Sequence, residues 1–126
     1  MNAILYDAGA LIAAERGDRA VWADHRARLE AGLVPIVPAP VLAQVSRSPR
    51  QAQLRRLLSG CDVANLDEPT AHAVGSLLAR SGTADIVDGT VVVMAIERRA
   101  PVVTGDPNDL SRLAEAAGTR LDIVRT

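Results

Sequence analysis

The chain has 126 residues, of which 48% are hydrophobic, and this is the size of one domain with an ordinary core. One Tyr, one Trp and no Phe supply too few aromatic rings for a base-stacking surface, which argues against an RRM or OB-type binding module. A formal charge of −1 excludes the uniform positive field of a protein that coats nucleic acid, so any contact with a polynucleotide must be local.

All fourteen positively charged side chains are Arg, so the chain has no lysine for a P-loop or a Schiff base. The single cysteine, Cys61, cannot form an internal disulfide, and the first residues, MNAILYDAG, lack the charged start and long apolar run of a signal peptide. No apolar run approaches the roughly 20 residues that a membrane span requires. We therefore expect a cytoplasmic protein that does not associate with membranes.

Short apolar runs closed by Pro, Gly or Asp predict strands, and the periodic segments between them predict helices. In chain order, the pattern predicts a strand at 3–6, helices at 9–16 and 19–31, a strand at 34–37, helices at 40–47 and 50–58, a weaker strand at 62–66, helices at 70–81 and 86–99, a strand at 101–104, a helix at 108–117 and a weaker strand at 121–124. Thr70, after Pro69, is the expected cap of its helix. Strands that alternate with helices indicate a single α/β domain, residues 1–126, with a mostly parallel five-stranded sheet.

Acidic residues follow two of these strands. Asp7 comes directly after the first strand, and Asp106 comes two positions after Thr104 in the segment TGDPND. In open α/β sheets the working site lies at the carboxyl ends of the strands, where the strand order reverses. Asp88 lies three residues after Asp85, so the two share roughly one face of the predicted helix, whose first turn could meet those strand ends.

Carboxylates gathered in this way repel one another unless a cation neutralises them. Oxygen ligands without His or Cys companions favour Mg²⁺, with Mn²⁺ as a substitute, over zinc. Mg²⁺ held by protein carboxylates keeps several waters and can both activate a nucleophilic water and stabilise charge on a phosphodiester oxygen. The pattern therefore points to hydrolysis of nucleic acid.

Structural roles are the alternative explanation for some of these residues. Asp106, Pro107, Asn108 and Asp109 fit the N-cap and first turn of a helix, which alone would account for them. Asp85 is the expected cap of the helix at 86–99, and Asp109 a first-turn charge favoured by the helix dipole. A charge such as Asp7 after an apolar central strand is costly unless it is paired or bound, so it is harder to explain structurally. His25 and His72 are typical of core or surface residues rather than ligands.

Four segments together carry a family resemblance: LYDAGALIA, VPAPVLAQVSR, GTADIVDGTVVVMA and VVTGDPNDL. They resemble the PIN-domain ribonucleases, and most closely the VapC-like toxins of bacterial type II toxin–antitoxin systems, over nearly the whole chain. The resemblance implies a PIN-like three-layer sandwich, with the sheet flanked by helices. It also implies an endoribonuclease toxin that uses Mg²⁺ to hydrolyse RNA phosphodiester bonds.

The resemblance also implies roles for particular residues. Asp7, Asp88 and Asp106 match the family's metal-binding acids. Asp109 matches an acid near the metal, and Thr104 matches a threonine that supports the site.

Gln44 departs from the family's pattern, because that position usually holds Glu. A glutamine carbonyl can still orient a water or ligate weakly, but it brings no charge and is a poor general base. We therefore expect one loosely held metal, and a second only when substrate phosphate is present, with Asp85 or Asp109 as the candidates that could compensate. The alternative is an attenuated PIN fold that works mainly as an antitoxin- or RNA-binding module.

Partners follow from the same resemblance, which implies a homodimer and a cognate antitoxin that inserts a segment into a groove near the active site. The segment RSPRQAQLRRLL places Arg47, Arg50, Arg55 and Arg56 on one predicted helical stretch. This strip is equally compatible with an ordinary amphipathic helix and with contact to RNA or antitoxin. A phospho-receiver-like signalling domain shares the size and acidic cluster, but it would need a lysine near the last strand, and the chain has none.

Overall fold

A computed structural model describes residues 2–126, which form one five-stranded sheet and seven α-helices. The strands are β1 (Ala3–Tyr6), β2 (Val34–Pro38), β3 (Asp62–Ala64), β4 (Val102–Thr104) and β5 (Ile123–Arg125). The helices are α1 (Ala8–Glu15), α2 (Arg19–Glu30), α3 (Ala39–Val45), α4 (Ala52–Leu58), α5 (Glu68–Ser81), α6 (Ile86–Arg98) and α7 (Pro107–Ala116). The predicted α/β class and all five strands are confirmed.

The strand order is β3-β2-β1-β4-β5, and every neighbouring pair is parallel, so the sheet is wholly rather than mostly parallel. The chain builds outward from β1 through β2 to β3, then crosses to β4 and continues to β5. Because parallel crossovers are right-handed, this reversal places helices on both faces of the sheet. The order reverses between β1 and β4, and this is where open α/β sheets bind ligands.

The core is built from small aliphatic side chains around a single buried tyrosine. The Tyr6 hydroxyl and His25 Nδ1 are 2.7 Å apart, and Arg28 donates to the same hydroxyl at 3.3 Å. His25 is therefore a buried packing residue, in line with its expected structural role. Burial raises the pKa of the Cys61 thiol to about 12, and its Sγ donates to the Leu57 carbonyl, so this thiol is unreactive.

Helix α5 begins two residues before the predicted start at residue 70. The Asp67 carboxylate accepts the backbone N–H of Thr70 at 2.9 Å, so Asp67 is the N-cap and Thr70 lies inside the first turn. The assignment of Thr70 as the cap was wrong. Asp67 outcompetes it because a carboxylate is the stronger N-cap acceptor and because Pro69 is readily accommodated in the first turn.

The predicted helical strip of arginines is also wrong. Helix α3 ends at Val45 and α4 begins only at Ala52, so Arg47 and Arg50 lie in the loop between them. The side chain of Gln51 holds this loop: its Oε1 accepts the N–H groups of Arg47 and Ser48, and its Nε2 donates to the carbonyl of Val45. A local side-chain hydrogen-bond network has replaced a turn of helix.

The strip's arginines consequently serve different purposes. The Arg47 guanidinium donates to the carbonyls of Ala43 and Ser46, which completes the end of α3. Arg56 stacks over the indole ring of Trp22, with its Cζ 5.2 Å from the ring centroid. These contacts explain two of the four arginines by structure alone.

Candidate active site

Asp7 lies at the carboxyl end of the central strand β1 and is only 6% exposed. Its Oδ1 accepts the backbone N–H of Ala8 at 2.8 Å, which caps α1. Its Oδ2 accepts the hydroxyl of Thr104 at 2.8 Å, and Thr104 is fully buried at the end of β4. Two donors therefore satisfy this buried carboxylate and fix its orientation.

The same threonine also positions Asp106. Thr104 Oγ1 accepts the backbone N–H of Asp106 at 2.9 Å, so one hydroxyl bridges the two aspartates. Asp106 occupies the N-cap position of α7, but its carboxylate makes no capping hydrogen bond. The predicted helix start at Asp106, with Pro107 as the first helical residue, is therefore confirmed, and the Asp106 carboxylate is exposed and available to a ligand.

Helix α6 brings two more carboxylates to this edge of the sheet. Asp85 is its N-cap, as expected, and accepts the backbone N–H of Asp88 at 3.0 Å. Asp88 lies in the first turn and is half-buried. Gly89 follows it where a Cβ would lie only 3.0 Å from Val74 Cγ1, so the missing side chain lets α5 pack closely and set the position of the α6 N-terminus.

A shallow cleft of about 280 Å³ collects the residues that the sequence singled out. It is lined by Asp7, Ala8, Gly9, Gln44, Asp85, Asp88, Gly105, Asp106 and Asp109. Thr104 lies beneath it. Within residues 2–126, no positively charged side chain lines this cleft, so the aspartates face one another without a compensating cation.

This crowding is reflected in the acidity of two carboxyls. Burial, followed by the charges of Asp85 and Asp7, raises the pKa of Asp88 from its usual 3.8 to about 6. A side-chain hydrogen bond with Asp109 raises the pKa of Asp106. A cluster that resists carrying its full negative charge is one that a bound cation would stabilise.

The donor chemistry of the cleft fits a hard divalent cation. Across residues 2–126, no three His, Cys, Asp or Glu side chains stand close enough together to hold a metal ion in their present orientations. Asp106 and Asp109 are exposed, so their carboxylates can turn toward an ion without disturbing the core. All the candidate donors are oxygens, which suits Mg²⁺ or Mn²⁺ rather than zinc.

Two cleft residues escaped the sequence-based predictions. Gly9 and Gly105 line the cleft beside Asp7 and Asp106, yet neither carries a functional group. The available signal was their spacing, since each glycine lies within two residues of a predicted acidic ligand. That spacing alone does not show which segment of backbone packs against each glycine.

Comparisons with known proteins agree with this fold. The sequence matches the PIN domain family over residues 4–116, so the chain belongs to the PIN-domain family. PIN domains are generally nucleases. The resemblance predicted from the sequence is thereby confirmed, whereas a search of curated proteins finds no match.

Solved structures share the fold. The chain is similar to VapBC2 from Rickettsia felis bound to a DNA fragment from their promoter, with 16% identity, 98% of each chain covered and a TM-score of 0.74. It is similar to a toxin–antitoxin complex from Klebsiella pneumoniae, with 18% identity, 86% of this chain and 90% of that chain covered and a TM-score of 0.66. It is also similar to PAE2754 from Pyrobaculum aerophilum, with 20% identity, 95% of this chain and 91% of that chain covered and a TM-score of 0.58. At such identities the likeness shows the fold alone.

Among residues 2–126, no helix is both long enough and apolar enough to cross a membrane.

We expect Asp88→Asn to stabilise the metal-free protein at neutral pH, because it removes a carboxylate whose charged form is disfavoured by burial and by the neighbouring carboxylates. Because the pKa of Asp88 is raised from 3.8 to about 6, its carboxylate does not destabilise the fold below pH about 4 and destabilises it fully above pH about 6. After allowance for solvent screening of a half-exposed group, the gain at pH 7.5 is on the order of 1 kcal/mol. Urea denaturation at pH 7.5 and pH 4 measures it.

Asp122→Asn is the matched control, since Asp122 is exposed and lies outside the cleft. Its stability should change little between the two pH values relative to the wild type. A cleft variant that is no more stable than the wild type at pH 7.5 would contradict the electrostatic account.

We expect Thr104→Val to cost about 1–3 kcal/mol of unfolding free energy, because it leaves a buried Asp7 oxygen and the Asp106 N–H without their partner. Thr90→Val is the control: Thr90 is equally buried, but its hydroxyl only donates to the Ile86 carbonyl. Denaturation compares the two, and the amide resonance of Asp106 should shift only in the Thr104 variant. Equal costs and an unmoved resonance would refute the bridging role.

Proposed function

We propose that this chain is a Mg²⁺-dependent endoribonuclease that acts as the toxin of a type II toxin–antitoxin pair. The observation that carries the proposal is the cleft of about 280 Å³, where carboxylates from the end of β1, the start of α6 and the start of α7 meet and no positively charged side chain of residues 2–126 lines the wall. Membership of a family of nucleases supports it. The fold shared with solved toxin–antitoxin complexes supports the toxin assignment.

In this proposal Asp7, Asp88 and Asp106 hold the metal ion, and Asp109 and Asp85 add negative charge around it. These residues would hold Mg²⁺ or Mn²⁺, and the ion would there supply an activated water as nucleophile and neutralise charge on the phosphodiester oxygens. The chain's own contribution is to fix the ligands. Asp7 cannot rotate freely, because its two oxygens accept hydrogen bonds from Ala8 and Thr104.

Gln44 lines the same cleft as the aspartates and is exposed. Its amide can donate to a phosphate oxygen and accept from a water, which orients the substrate without adding charge. Because the other polar side chains of the cleft are acidic, a neutral amide here adds no further repulsion to that which an incoming phosphodiester meets. Gln44 is thus a substrate-orienting residue in this proposal rather than a general base.

The proposed partners are RNA as substrate, a cognate antitoxin and a second copy of the chain in a homodimer. A second cleft, of about 250 Å³, shares Gln44 with the first and runs along α1, with walls formed by Leu11, Ile12, Val45 and Leu54. Arg16 lies at this cleft. A peptide segment with apolar side chains fits such walls and would reach the aspartates at one end, which is how an antitoxin could block the site.

The proposal is tested with purified protein, freed of antitoxin and incubated with structured RNAs in Mg²⁺ or in EDTA. We expect Mg²⁺-dependent cleavage that falls on the order of 100-fold or more in Asp7→Asn, because a site with one fewer charged ligand holds the ion poorly. Asp62→Asn, an exposed acid outside the cleft, should cleave like the wild type. Cleavage that is absent, or that survives EDTA and Asp7→Asn unchanged, would overturn the proposal.

One observation favours a second candidate, an attenuated PIN fold that acts mainly by binding antitoxin or RNA. The cleft holds the neutral Gln44 where the family resemblance calls for an acidic residue. A site with fewer charged ligands binds its metal more weakly. The two candidates differ in the RNA cleavage rate that they predict for the native site, which is low only for the attenuated fold.

Gln44→Glu separates these candidates. We expect it to tighten Mn²⁺ binding, measured by isothermal titration calorimetry, because it adds a carboxylate to the cleft. Gln53→Glu, in α4 and outside this cleft, is the matched control and should not do so. A large rise in RNA cleavage would identify the native site as attenuated, and an unchanged rate would show that Gln44 does not limit it.

A further inference from the structure

Gly9 lies in the first turn of α1, two residues after Asp7, and faces the backbone of Gly105. A Cβ placed on Gly9 would lie 2.7 Å from Gly105 N and 3.2 Å from Gly105 Cα. Real Cβ atoms essentially never come within 3.0 Å of another heavy atom. Because the obstructing atoms belong to the backbone, no side-chain rotation can relieve the clash.

Backbone conformation does not explain this glycine. The glycines with positive φ within residues 2–126 are Gly17, Gly32, Gly82 and Gly118, so Gly9 adopts ordinary helical angles that any residue can take. Alanine is a better helix former than glycine at such a position. What requires a glycine here is therefore the space between α1 and the segment that follows β4.

The strands on either side of this contact cannot move apart to admit a side chain. Asp7 N donates to the carbonyl of Val103 at 2.9 Å, and Tyr6 pairs with Val103 in the β1–β4 ladder. Thr126 N donates to the Thr104 carbonyl at 3.1 Å on the other side of β4. The start of α1 or the turn at Gly105 would have to shift instead.

A shift of Gly105 acts directly on the next residue, Asp106. The Asp106 N–H is held by Thr104 Oγ1 at 2.9 Å, and that hydroxyl is shared with Asp7. Displacing the Gly105 backbone therefore strains the bridge that sets the two carboxylates relative to each other. Thr126 Oγ1 would lie 3.3 Å from a Cβ on Gly105 and covers the turn from outside.

We propose that Gly9 is a positioning residue: by having no side chain, it lets the start of α1 lie against the Gly105 turn and so sets the separation of the Asp7 and Asp106 carboxylates. The structural part of the proposal stands on the geometry, and its effect on metal binding rests on the proposed function. Gly9 does not touch the ligand itself. It acts through the two aspartates.

The test compares Gly9→Ala with Gly75→Ala. Gly75 is also helical, and a Cβ there meets nothing within 4 Å, so its substitution controls for the glycine-to-alanine change itself. Crystal structures of both variants measure the position of the Gly105 turn and the Asp7 to Asp106 separation. Calorimetry with Mn²⁺ as the probe measures affinity, with Asp7→Asn as the reference for a lost ligand.

We expect Gly9→Ala to fold with a displaced Gly105 turn and to weaken Mn²⁺ binding about tenfold or more, the size of effect seen when supporting contacts of metal ligands are lost. RNA cleavage should show a lower kcat with KM nearly unchanged, and Gly75→Ala should match the wild type in all three measurements. An unchanged separation of the Asp7 and Asp106 carboxylates, or a changed separation with unchanged Mn²⁺ affinity, would overturn the proposal.

Two further outcomes are kept separate. If Gly9→Ala does not fold, the double variant with Thr126→Ala gives the turn room to move outward and should fold with the same displacement; failure of both variants to fold assigns Gly9 to stability and refutes the positioning role. If the wild type binds no Mn²⁺, the proposed function fails, while the crystal structures still decide whether Gly9 sets the carboxylate separation.

Discussion

The hydroxyl of Thr104 is the interaction on which the carboxylate cleft depends. It donates to Asp7 and accepts from the backbone of Asp106, so it joins the central strand to the loop after β4. Only a group that both donates and accepts can do this, and a β-branched threonine also suits a buried strand. The bridge supplies a hydrogen bond to a carboxylate whose burial at the end of a strand would otherwise be unfavourable, and it fixes the orientation of that carboxylate.

Strand-end reasoning predicted much of this arrangement from the sequence. Asp7 and Asp106 follow apolar strands, and the carboxyl ends of parallel strands meet at one edge, so their meeting follows from topology. Asp88 was less certain, because helical periodicity shows which face a residue occupies but not what the helix packs against. Gly9 was missed for the same reason: the space it leaves is defined by Gly105, which is distant in sequence.

The prediction of local structure was wrong where side chains compete with backbone groups for hydrogen bonds. Between α3 and α4 the sequence has a helical pattern, yet Gln51 folds back onto the backbone of Arg47 and Ser48 and holds a loop. At the start of α5, Asp67 accepts the backbone N–H of Thr70 and so takes the N-cap position that Thr70 was expected to hold. Hydrophobic periodicity shows which positions are buried, but it does not show which side chain will form a hydrogen bond with the backbone.

The separation of the bridged residues along the chain has a consequence for biosynthesis. Thr104 and Asp7 are 97 residues apart, so β1 leaves the ribosome long before its partner exists. At about 5–20 residues per second, roughly 5–20 seconds pass in which Asp7 lacks the hydroxyl that orients it. A nascent chain therefore has no assembled carboxylate cleft, and a proposed toxin of this design stays inactive until β4 and the residues after it have been translated.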